Sequence, residues 1–201
     1  MQKWRKCKLS EQFTTHPGGM SLIQKIVRFK FLATSRAAAD RLIRVECDRT
    51  LAICRGLGDE LCAASAEIPA LLGVDEEMRS WSLFQILEHN TIVNHRITEQ
   101  VLFALGEGPE PDPDFDVKHD VLPAGDSGPD QVAAFEESVD EHLRKVAGHS
   151  RLRGTPEADH PLFGPFDAHK WNCMFGFHLQ LHRKQAEAVA KRLKTKANGD
   201  L

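Results

Sequence analysis

A chain of 201 residues is long enough to bury a sizeable core without staples. Its formal charge of −3 and pI near 6.4 give no electrostatic case for a nucleic-acid partner. No apolar run approaches the ~18 residues of a membrane span, so no membrane partner is expected either. Five cysteines with no CxxC pair spell neither a zinc motif nor a disulfide framework, and they fit a reducing cytoplasm.

Residues 1–20 are basic at the start (Lys3, Arg5, Lys6, Lys8) but lack the apolar core of a secretory signal. They are expected to be a flexible extension, an over-long reading frame being one explanation, with one domain over 21–201. No period-2 run stands out, tyrosine is absent, and the apolar spacing is helical throughout. The first helix is expected from Ser35 to Leu57, closed by Gly58. Cys47 and Cys54 share its apolar stripe with Ile43 and Leu51, which points to packing rather than reactivity. A looser stretch broken by Pro69 and Gly73 has room for a short helix.

The second helix has the clearest start. In "WSLFQILEH" Ser82 is the N-cap, Gln85 completes a capping box, and Trp81 can staple onto Ile86. It runs to Gly106, and a Pro/Asp/Gly-rich connection of about 20 residues follows, a length that is usually functional or mobile. A third helix begins at Ser127 to Pro129, with the stripe Val132, Phe135, Val139, Leu143 and Val146, and ends at Gly148. After another long loop, Asp167 caps a fourth helix running to about Lys194. Four long amphipathic helices with extended connections predict an all-α, four-helix bundle with long inter-helix loops.

On the fourth helix His178, Leu181, His182, Gln185 and Val189 share one inward face, which Trp171, Met174 and Phe175 extend. An i, i+4 histidine pair is what a single helix offers a divalent metal, although with ten histidines a chance pair somewhere in the chain is roughly an even bet. Placement on an apolar face favours the metal. A third ligand must come from another helix, and His89 lies on the inward face of the second. His95 is about 120° round the helix from it and cannot easily share a pocket. His89, His178 and His182 are therefore the candidate metal ligands. His16, His119, His142, His149, His160 and His169 are expected at solvent, His160 being the one to watch.

"WSLFQILEH", together with "HPLFGPFDAHKW" leading into "HLQLHRKQ", resembles the DinB-like (DinB/YfiT-like) superfamily of metalloenzymes over roughly residues 35 to 194. The resemblance implies a four-helix bundle with one metal ligand from the second helix and an HxxxH pair from the fourth. Those positions match His89, His178 and His182. It also implies a divalent ion such as zinc or nickel, and members with known activity include thiol-dependent S-transferases and a mycothiol-dependent isomerase. The N-terminal extension has no counterpart in that pattern.

Three imidazoles leave coordination positions open, as a catalytic site requires. A thiol held there is deprotonated near neutral pH and becomes a strong nucleophile toward a small-molecule electrophile. Held water would give a hydrolase instead. A non-enzymatic, stress-related binding bundle, or more remotely a haem bundle, would use the same helices without this chemistry. Glu88 should point away from His89, whereas Gln85 and Gln185 sit where they could orient ligands or simply face solvent. Trp171, Met174 and Phe175 fit either core or pocket lining. An exposed helix face could support a homodimer, with nothing to specify which.

Overall fold

The computed structural model describes residues 21–112, 114–116, 118–197 and 199. The expected extension over 1–20 lies outside them. The chain is mostly helical: α1 (Leu22–Ala33), α2 (Arg36–Arg55), α3 (Asp59–Ala63), a 3-10 turn (Glu76–Ser80), α4 (Leu83–Leu105), α5 (Asp130–Ala147) and α6 (Ala168–Ala197). A small antiparallel hairpin, β1 (Ala158–His160) and β2 (Gly164–Phe166), precedes α6 and pairs Ala158 with Phe166.

Local sequence chemistry sets the boundaries. Ser35 caps α2 by accepting from the Ala38 amide at 3.2 Å, and the helix stops at Gly56, slightly earlier than Leu57. The α4 start is the capping box read from sequence, with the Gln85 amide donating to Ser82 Oγ at 3.2 Å and the Ser82 amide to Gln85 Oε1 at 2.9 Å. Its end is a Schellman closure on Gly106 at φ +78, with Glu107 N–H donating to the Leu102 carbonyl at 2.9 Å. Asp167 Oδ1 accepts from the Lys170 amide at 2.9 Å and starts α6, which extends to Ala197 rather than Lys194.

Two elements depart from expectation. Helix α1, capped by a Ser21–Gln24 box, was not expected. It is fastened by Arg28, which donates to the Pro165 carbonyl at 2.9 Å, and by His169 Nε2, which meets the Thr34 carbonyl at 3.0 Å. The hairpin also breaks the all-helical expectation in a small way; strands of three residues are too short to show alternation.

α6 packs against α2 and α4, α4 against α5, and α5 against α2, so the four long helices close a ring of contacts. Phe84, Phe135, Phe175, Ile43, Leu87 and Leu179 are fully buried among them. Gly176 lets α6 approach α2 closely, since a Cβ there would lie 3.2 Å from Ile43 and Leu42 side-chain atoms. Cys47 and Cys54 are buried as packing residues, and burial pushes both thiols up to about 12.

Candidate metal site

The Ser82 cap fixes where α4 begins, and His89 follows two turns later on its inward face. On α6, His178 and His182 stand one turn apart and face the same way. The rings converge. Centroids are 4.4 Å apart for His178 and His182, 4.6 Å for His89 and His182, and 5.3 Å for His89 and His178. One ligand nitrogen from each of the three lies within 4.8 Å of the others, so the trio could hold a metal ion. His89 and His182 are buried, and His178 is partly exposed.

Hydrogen bonds fix which nitrogen is free. His89 Nδ1 donates to the Val121 carbonyl at 2.7 Å, and its Nε2 is buried with no partner. His182 Nδ1 lies 2.7 Å from Gln185 Oε1, while Gln185 Nε2 donates to the Met78 carbonyl at 2.7 Å. The Met78 carbonyl can only accept, so Gln185 presents its amide nitrogen there and its oxygen to the ring. His182 must then carry its proton on Nδ1, leaving the Nε2 lone pair free. His178 likewise has Nδ1 buried without a partner. Orphaned buried nitrogens of this kind cost about 1–3 kcal/mol each, which an ion would offset. Oriented imidazoles backed by carbonyls are the arrangement that metal-binding histidines use.

The electrostatics agree. Burial lowers His89 to about 4 against the weaker opposing effect of its bond to Val121. Burial, then repulsion from His89, lowers His182 to about 3. His178 is pushed well below its ordinary value by burial and then by His182, His89 and His160. All three rings are neutral at physiological pH, with lone pairs available for a cation.

The surroundings sort the remaining residues. Trp81 is buried, its ring 5.1 Å from His89, and Trp171, Met174 and Phe175 are buried in the core. Gln185 orients His182, whereas Gln85 serves the α4 cap. Glu88 is engaged by the Ser127 hydroxyl, not by the trio. His160 Nδ1 accepts from the Leu162 and Phe163 amides at 3.1 and 3.4 Å, so its proton sits on Nε2. Its ring packs 5.1 Å from Trp171, and a second proton on it would disfavour one on His178.

Two histidines expected at solvent are fully buried, and a third, His160, is only partly exposed, with burial lowering its pKa to about 3. His142 is fully buried, with Nδ1 2.9 Å from Thr98 Oγ1 and Nε2 2.9 Å from Asn172 Oδ1, its ring stacked on Phe175 at 3.9 Å. His169 is buried at the C-terminal end of α1. His119 and His95 are exposed, each beside a carboxylate, Asp116 at 2.7 Å and Glu141 at 3.5 Å. His149 is partly exposed beside Glu107, and His16 lies outside the described residues. The carbonyls of Val121 and Met78 carry no side-chain signature and could not have been read from the sequence.

No family model matches this chain, and a search of curated proteins returned no match.

Proposed function

We propose that this chain is a divalent-metal-dependent enzyme of the DinB-like superfamily, a four-helix bundle formed by α2, α4, α5 and α6. His89, His178 and His182 are its metal ligands, zinc or nickel the ion, and its reaction a thiol-dependent S-transfer or isomerisation of a small electrophile. The observation that carries this reading is the convergence of three neutral imidazoles from two helices, two of them oriented by hydrogen bonds to oxygens.

Three protein ligands leave room for a further donor. When bound, the ion supplies the Lewis acidity that holds a thiol as thiolate near neutral pH. The chain's own residues do the rest. Trp81 and the buried rings around it exclude water, Gln185 and Val121 hold two imidazoles in register, and the partly exposed side at His178 admits the reactants. The thiol comes from outside: the described cysteines are all buried, and none joins the trio. Among the described residues no carboxylate joins it either, which weighs against a hydrolase needing a general base.

Protein purified without chelator or nickel resin should carry about one divalent ion per chain by elemental analysis. The double variant His178→Ala/His182→Ala should lose that ion while its helical circular dichroism persists; full metal retention in the variant would overturn the site. Turnover of an electrophile panel should require added thiol. Turnover without thiol would instead make the protein a hydrolase.

A further inference from the structure

Helix α1 has two faces, and the structure uses one. Gln24, Val27 and Phe31 are buried, with Phe31 set edge-on to Phe166 and Phe177 at 5.8 Å each. On the opposite face Leu22, Ile26 and Phe29 recur at i, i+4 and i+7 as one stripe, exposed by 73, 57 and 70%. Leu32 and Ile23, at 58 and 40%, border it. Of the seven exposed large hydrophobic residues among the described residues, five lie on this 12-residue helix. Scattered surface apolar residues need no explanation; a contiguous patch marks an interaction site.

The charge pattern says with what. α1 carries Lys25, Arg28 and Lys30 and no acidic residue. Lys25 and Lys30 are exposed and lie on either side of the stripe by helical position, where their aliphatic stems can run along it and lift the ammonium groups beside it. Arg153, which donates to the Leu32 carbonyl at 3.0 Å, adds a cation at the far end. The sequence ahead of α1 has the same sign: residues 1–33 contain seven Lys and Arg but only Glu11 as an acid, a charge of +6. Since the whole chain is −3, the remainder carries −9.

We propose that this face of α1 seats the protein on an anionic lipid bilayer surface. Leu22, Ile26 and Phe29 enter the boundary between headgroups and acyl chains, and Lys25 and Lys30 meet the lipid phosphates. No helix among the described residues is long and apolar enough to cross a membrane, and α1 lies in the plane of the interface instead. The absence of a spanning run, which led to the expectation of no membrane partner, does not bear on a helix lying in the interface, and the whole-chain charge averages this asymmetry away. A second copy of the chain fits less well. One face of a helix about 18 Å long offers much less than the ~800 Å² per partner that a stable dimer buries. Pairing α1 with itself would also bring lysines together with no acid on either helix. The basic segment 1–20 is a poor cover for the same reason. The proposal is independent of the metal chemistry.

Flotation of the full chain with vesicles tests it. The protein should float with phosphatidylcholine vesicles containing phosphatidylglycerol and not with phosphatidylcholine alone, and binding should weaken as salt is raised. Phe29→Glu and Ile26→Glu replace exposed side chains, so the fold should persist by circular dichroism. Each should reduce vesicle binding on the order of tenfold or more, and the pair Lys25→Glu/Lys30→Glu on the order of tenfold. Binding undiminished in Phe29→Glu would assign the attraction to residues 1–20 and overturn the proposal. Equal binding to both vesicle types, or to neither, would overturn it as well. So would a dimer, seen by light scattering, that Phe29→Glu splits in protein that ignores lipid.

Discussion

Gln185 is a fully buried amide whose two ends are both committed, one to the Met78 carbonyl and one to His182. Its role is to keep the His182 proton on Nδ1, so Gln185→Ala should free the ring to adopt the wrong tautomer. Losing such an orienting partner typically weakens metal binding about 10–100-fold. Competition against a chromophoric chelator would measure it, and an unchanged affinity would show that the amide only fills space. The HxxxH spacing, the inward position of His89 and the suitability of Gln185 were all legible, because helical periodicity places side chains on faces. His142 and His169 were misjudged for the opposite reason. Their partners, Thr98, Asn172 and the Thr34 carbonyl, lie 30 to 135 residues away, and no local pattern announces a long-range hydrogen bond that makes a buried ring tolerable.

Helix termini were the most legible feature at the next scale, because capping is local chemistry. The Ser82–Gln85 box starts α4 as read, and α4 carries His89. Ser82→Ala should remove one cap bond, destabilise the protein by about 1 kcal/mol and lower its melting temperature by roughly 2–4 °C. Thermal unfolding checks this, and a variant as stable as the parent would mean that tertiary packing alone holds the helix start. Helix α1 escaped the sequence reading because seven of its twelve residues are large and apolar and spread around its circumference. Their periodicity is blurred, since one set packs inward while another stays exposed. The ends of the predicted helices shifted by a few residues, the usual scatter of such boundaries.

Across the molecule, several buried histidines make stability depend on pH. His142 is lowered from 6.5 to about 4 by burial, and His160 to about 3. Between the ordinary and lowered values the unfolded chain binds protons that the folded chain refuses. Stability is therefore complete above about pH 6.5 and is lost as the pH falls toward 4. For His142 alone the loss amounts to about 3 kcal/mol. His89 and His182 are shifted the same way and add to the loss. Chelator-treated protein should thus lose stability progressively as the pH falls from about 6.5 toward 4. Denaturant titrations from pH 7 to 4 would follow it, and a flat profile would contradict the buried, neutral state of these rings.

Two of the three rings at the site take their orientation, directly or through one amide, from peptide oxygens at positions 78 and 121. A point replacement at either position leaves its peptide oxygen in the chain, so Met78 and Val121 can drift in identity while the rings keep their protons in place. What the arrangement does not tolerate is a change in chain length. A single residue gained or lost in the stretch before Ser82, or in the connection between α4 and α5, would slide a different oxygen under an imidazole and turn its lone pair away from its neighbours.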